Sequence, residues 1–237
     1  MTDPVFSEIA WVILPYITLS VFVIGNVYRF LFDSSVWTSR SSELLEKKLL
    51  KWGSLMFHYG IIFVFLGHVG GLLIPESLTQ TMGVTEAQYR MSAFLIGGIS
   101  GIVSVAGLFL LLYRRISVPF VRSTSDKSDW LVLGLLLLVM SLGIFNTLSS
   151  PVLFASFDYR LTIAPWFRDL FLLQPNPSLM ENVPLTFQLH IISAMALAIV
   201  WPFTRLVHVW TIPVRYLRRA PIVYRSKVEV PVSRKAS

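Results

Sequence analysis

Four histidines, His58, His68, His190 and His208, are the residues of this chain best suited to chemistry. All four fall in two apolar stretches, "FHYGIIFVFLGHVGG" (57–71) and "HIISAMALAIVWPFTRLVH" (190–208), and none lies in a polar loop. Neutral imidazole is the commonest protein metal ligand and a proton carrier near pH 7. Read as helices, the first pair is separated by about 15 Å of rise and falls about 80° short of three turns, so both rings share a broad face. The second pair is separated by about 27 Å and five whole turns, which returns both rings to one face.

The elements that must position them are membrane spans. The chain has 237 residues, is 54% hydrophobic and only 14% charged, and its mean hydropathy is +0.67, well outside the balance of a soluble domain. Five runs, 9–31, 53–74, 92–113, 130–149 and 184–207, are long enough to cross a hydrocarbon layer of about 30 Å. The expectation is an all-α, polytopic membrane protein, a bundle of five transmembrane helices enclosing two haems.

Composition narrows the chemistry further. With no cysteine, thiolate-held iron–sulfur clusters, disulfides and c-type haem attachment are excluded. The net charge is +7, yet its distribution points to a membrane rather than to nucleic acid. All Lys and Arg except Arg90, Arg160 and Arg168 lie at or beyond the end of the first, third or fifth run. The positive-inside rule then sets the N-terminus outside and the C-terminus in the cytoplasm. No basic residue precedes the first run, so the n-region of a cleaved signal peptide is missing and the first helix is expected to be retained.

Topology and spacing together pair the histidines by depth. The second helix runs outward and the fifth inward, so His58 meets His208 near the inner surface and His68 meets His190 near the outer one. One imidazole from each of two antiparallel helices, at two levels, is what two bis-histidine haems require. The unequal gaps must be absorbed by tilt, by slanted haem planes and by the kink expected at Pro202. Interhelical hydrogen bonding and a proton relay are the other uses of intramembrane histidines. A relay usually recruits carboxylates as well, and no acidic residue falls mid-membrane. Two histidines per level leave a tetrahedral zinc site short of ligands.

Neighbouring residues fill out this picture. Gly60, Gly67, Gly70 and Gly71 remove bulk where a flat macrocycle would approach the second helix, or where a helix would pack. Gly97, Gly101 and Ser104 form a small-residue stripe on the third helix, best read as helix packing. Arg205, one turn before His208, together with Arg29, Arg114 and Arg115, could pair with the propionates of the inner haem; positive-inside anchoring is the plainer reading. Residues 34–52 are expected to form a helix lying at the inner interface, Asp129 to sit at the start of the fourth helix, and "APWFRDLF" to form a short helix on the outer surface. Pro15 should kink the first helix.

The stretches "PFTRLVHVWTIPVRYLRR" (202–219), "FHYGIIFVFLGHVGG" and "RMSAFLIGGISG" (90–101) resemble the cytochrome b (gamma) subunit of membrane-bound respiratory nitrate reductase over nearly the whole chain. The resemblance implies two b-type haems, the inner on His58 and His208 and the outer on His68 and His190. It implies a chain that oxidises menaquinol or ubiquinol near the outer haem. Electrons would then pass to an iron–sulfur (beta) subunit and on to a molybdenum (alpha) subunit on the cytoplasmic face of a bacterial cell membrane. Gly67, His68 and Arg90 become the quinol-site candidates. Residues 1–214 would form the dihaem domain, and 215–237, with seven basic residues, a tail that docks on the soluble subunits and attracts membrane lipid. Related cytochromes serve heterodisulfide-reductase-like and sulfur-metabolism complexes. A small transporter or proton channel with a histidine relay is the alternative of another class.

Overall fold

The computed structural model describes residues 4–32 and 46–211. Among them are five helices long and apolar enough to cross a membrane: α1 (Pro4–Phe32), α2 (Lys48–Leu73), α3 (Glu86–Ser117), α4 (Lys127–Leu153) and α5 (Leu185–Phe203). The segment 33–45 and the basic tail 215–237 lie outside the described residues. Of the expected interfacial helix, Lys48 to Trp52 instead form the first turns of α2.

Local chemistry sets the helix ends. The Glu46 carboxylate accepts from the amides of Leu49 and Leu50 at 2.8 and 3.2 Å, covering donors that the first turn of α2 leaves over. Thr85 and Gln88 form a capping box at the start of α3, and Asp126 and Asp129 form one at the start of α4, each satisfying two amides reciprocally. Arg114 and Arg115 close α3, where cations suit the helix dipole.

Proline acts differently in the first and last helices. In α1 the chain takes a π-helical turn over Ile9–Ile13, just before Pro15, which brings no N–H to the carbonyl of Trp11. Trp166 Nε1 donates to that carbonyl at 2.8 Å. In α5 the regular α-helix stops at Val200. It continues as two 3-10 segments, Trp201–Phe203 and Arg205–Thr211, with Thr204 extended between them. Pro202 thus ends the α-helix rather than kinking it, so His190 and His208 are not related by continuous α-helical turns.

Helix packs on helix as α2 against α3, α3 against α4, α4 against α5 and α5 against α1. The closest approach joins α2 and α3. A Cβ on Gly60 would lie 2.6 Å from the backbone nitrogen of Ser104, and one on Gly107 would strike the backbone of Phe57. Of the small-residue stripe read on α3, Ser104 makes this contact, whereas Gly101 faces Ile144 of α4. Gly60 is therefore a packing glycine.

One end of the bundle carries a small folded cap. The helix Ile163–Phe171 packs on the start of α1 through Trp11, Trp166, Ile163, Leu170 and Met180, all buried. The Trp11 and Trp166 rings meet edge to face with centroids 5.7 Å apart, a favoured aromatic geometry. Trp11 thus marks one end of the bundle, and Asp129, in the first turn of α4, the opposite one.

Candidate functional site

The structure sets His58 beside His208 and His68 beside His190. The ring centroids are 6.1 Å apart in the first pair and 6.2 Å in the second, with the ring planes at 69° and 31°. The His68–His190 pair lies toward the Trp11 end and the His58–His208 pair toward the Asp129 end.

Each imidazole is oriented through Nδ1. That atom of His58 faces the Ser54 carbonyl at 2.8 Å and the Ser54 hydroxyl at 3.2 Å. His68 Nδ1 faces the Val64 carbonyl at 2.8 Å, and His190 Nδ1 the Val139 carbonyl at 3.0 Å. His208 Nδ1 faces the carbonyl of Arg205. A carbonyl only accepts, so Nδ1 is the donor in each of these four contacts, as in a metal-binding histidine braced from behind. Helix α4 braces His190 twice: Val139 takes the ring proton, and a Cβ on Gly143 would come within 2.9 Å of His190 Cε1. Sequence reasoning missed both residues, since neither is polar and neither lies on a histidine-bearing helix.

A bis-imidazole haem fits these pairs. Two metal–nitrogen bonds of about 2.0 Å each, plus the radii of the two rings, set ring centres roughly 6 Å apart. Among the described residues no three or more His, Asp or Glu gather as a metal site. At Gly67 and Gly70 a Cβ would meet nothing within 4 Å, whereas at Gly71 it would lie 2.6 Å from the Tyr159 hydroxyl. The two former glycines leave space beside His68; the last admits a tyrosine.

The basic residues singled out by sequence fall in four places. Arg115 and Arg205 converge on one carboxylate, Asp129, which is 3% exposed; Arg115 Nη1 and Arg205 Nη2 each lie 2.7 Å from its Oδ2. Arg114 is buried against Glu46, with Nε 2.8 Å from the carboxylate. Arg29 Nη1 donates to the carbonyl of Pro202 at 3.0 Å, which ties α1 to the break in α5. Arg90 stands at the other end, 2.7 Å from Glu86, 3.7 Å from Asp158 and 3.0 Å from the Ala155 carbonyl.

Near Arg90 lies a cluster that spacing gave no sign of. The Tyr89 and Tyr159 hydroxyls are 2.6 Å apart. The Arg160 guanidinium stacks over the Tyr89 ring at 4.1 Å, and it contacts Asp158 at 3.0 Å and Glu76 at 3.6 Å. Burial pushes the Tyr159 phenol well above the ordinary tyrosine range, and Tyr89 beside it adds to the shift. Burial also works against the Arg160 charge, but Asp158 outweighs it and holds the guanidinium above its usual value.

Residues 7–227 match the family model described as nitrate reductase gamma subunit. The chain belongs to the nitrate reductase gamma subunit family. It is 46% identical over 221 residues to the nitrate reductase gamma chain of Bacillus subtilis, covering 93% of this chain and 99% of that one. It is 32% identical over 216 residues to the respiratory nitrate reductase 1 gamma chain of Escherichia coli, covering 91% and 95%. The nitrate reductase-like protein NarX of Mycobacterium tuberculosis is 41% identical over 236 residues, 98% of this chain but 36% of that protein. As a gamma subunit the chain is a component of a respiratory nitrate reductase, an oxidoreductase complex, and assembles with other subunits. Its five apolar helices accord with a multi-pass place in the membrane.

Proposed function

We propose that this gamma subunit is the quinol-oxidising, dihaem electron-transfer anchor of its nitrate reductase. Menaquinol or ubiquinol is oxidised beside the haem b on His68 and His190. Electrons pass to the haem b on His58 and His208, then to an iron–sulfur (beta) subunit, and a molybdenum (alpha) subunit reduces nitrate. The observation that carries this reading is the pair of imidazole couples, 6.1 and 6.2 Å between ring centres, each ring braced through Nδ1 by a backbone carbonyl.

When bound, the haems supply one-electron iron couples. The chain's own contribution is positional. Backbone carbonyls at Ser54, Val64, Val139 and Arg205 set the four ring planes, and such partners also make the ligand nitrogen more basic. Gly67 leaves room for a quinol ring beside His68. Arg90, steadied by Glu86 and the Ala155 carbonyl, is the hydrogen-bond donor assigned to a quinol oxygen. Arg205, Arg115, Arg114 and Arg29 supply positive charge for the propionates of the other haem.

Charge bias assigns the Asp129 end to the cytoplasm, the N-terminus to the outside and the tail 215–237 to the docking of the soluble subunits. Quinol protons released outside, with protons consumed inside, make the electron path electrogenic. A dithionite-reduced minus oxidised spectrum with pyridine-haemochrome quantification tests the reading. About two b haems per chain are expected, falling to about one or none in His68→Ala and in His208→Ala. A colourless, folded protein made with haem available overturns it and leaves a histidine relay to be pursued.

A further inference from the structure

Asp129 is the only Asp or Glu fully buried among the described residues, and three segments meet on it. It stands in the first turn of α4 and accepts from the Asp126 amide at 3.1 Å. Arg115 arrives from the last turn of α3, with Nη1 at 2.7 Å. Arg205 arrives from beyond the break in α5 and grips both carboxylate oxygens, Nε on Oδ1 and Nη2 on Oδ2. Such a fork fixes a guanidinium in direction as well as in distance.

The consequence reaches the imidazole. The backbone carbonyl of Arg205 accepts the Nδ1 proton of His208, and His208 lies in a short 3-10 segment that no longer inherits order from α5. Its partner His58 is set by its own helix through Ser54, and His190 by α4. Helix α4 thus bears on His208 through the Asp129 salt bridge in its first turn and on His190 through Val139 and Gly143 further along.

We propose that Asp129 is a positioning residue for the haem on His58 and His208: its carboxylate anchors Arg205 and, through the Arg205 carbonyl, the His208 ring, and it sets how much of the Arg115 and Arg205 charge that haem feels. This rests on the dihaem reading. Replacing the carboxylate by a neutral amide leaves two cations partly uncompensated beside the haem, and added positive charge favours the reduced, less positive iron.

The experiment is an optical potentiometric titration of the assembled complex in membranes, with low-spin haem EPR of the same samples. The two midpoints are assigned by losing one haem at a time in His68→Ala and His208→Ala. Asp129→Asn is expected to keep two b haems per chain, to raise the midpoint and alter the EPR signal of the His208 haem, and to leave the other haem unmoved. Asp129→Glu, which keeps the charge, returns the midpoint toward the wild-type value. An unmoved His208 haem in Asp129→Asn, or equal shifts in both haems, overturns the assignment. Should Asp129→Asn not assemble, Arg115→Gln takes its place, leaving the Asp129–Arg205 pair intact while removing one cation. A downward shift confined to the His208 haem supports the proposal, and no shift defeats it. Wild-type protein without b haem sinks the dihaem reading itself, an outcome distinct from all of these.

Discussion

The two ends of this bundle hold their histidine pairs by different physics. At the Trp11 end the order comes from packing: a buried core of Trp11, Trp166, Ile163, Leu170 and Met180, and Gly143 seated against His190. At the Asp129 end the α-helix has already stopped at Val200, and order comes from one carboxylate gripping two guanidiniums. Packing tolerates neither added nor lost volume, whereas a salt-bridged hub responds to charge. Defects of size should therefore be felt most at the first end and defects of charge at the second.

The strongest test of that contrast is Gly143→Leu. Its Cβ would start 2.9 Å from His190 Cε1, so the His68–His190 haem should be lost and the other retained, leaving about one b haem per chain by pyridine haemochrome. Loss of both haems or of neither would erase the distinction between the ends. Next comes Trp166→Ala, which empties a core site and removes the donor to the Trp11 carbonyl. Thermal unfolding in detergent should show a loss of about 3–5 kcal/mol, with protease sensitivity rising first between residues 154 and 184.

Tyr159→Phe is gentler, deleting one partner of the 2.6 Å hydroxyl pair at a cost of about 1 kcal/mol. It also bears on alkaline stability. The folded phenol holds its proton above the ordinary value, so its contribution is complete below about pH 10 and is lost as pH rises from there toward the folded value. Unfolding midpoints measured from pH 8 to 11 should thus fall less steeply in Tyr159→Phe than in wild type. The smallest effect expected is that of Ser54→Ala. It removes the hydroxyl 3.2 Å from His58 but spares the carbonyl at 2.8 Å, so the cost should stay near 0.5 kcal/mol, with haem content unchanged by spectrum.

Much of the fold was legible because a span is announced by length and apolarity alone. The five runs correspond to the five long helices, the short outer helix to Ile163–Phe171, and the first-turn acid of α4 to Asp129. Pro202 was misjudged in degree: a proline kinks a helix when neighbours re-satisfy the freed carbonyl, and here the chain changes to 3-10 turns instead. Gly60 and Gly71 read equally as room for a macrocycle or as packing positions, and the structure shows contacts with Ser104 and Tyr159. A glycine's purpose depends on what stands opposite it, which spacing does not tell. Val139, Gly143 and the Tyr89–Tyr159–Arg160 cluster gave no signal for the same reason.

What the sequence determined by itself was the number of spans, the confinement of all four histidines to two apolar stretches, and the bias of positive charge, because hydrophobic length and charge placement are properties of the chain in order. Only the tertiary structure decided which carbonyl takes each imidazole proton, which carboxylate gathers Arg115 and Arg205, and which helix supports His190. Those contacts join residues up to 76 positions apart, as Arg205 and Asp129 are. They exist because helix rotation and depth bring groups within hydrogen-bond reach, a quantity of a few ångströms that no periodicity specifies.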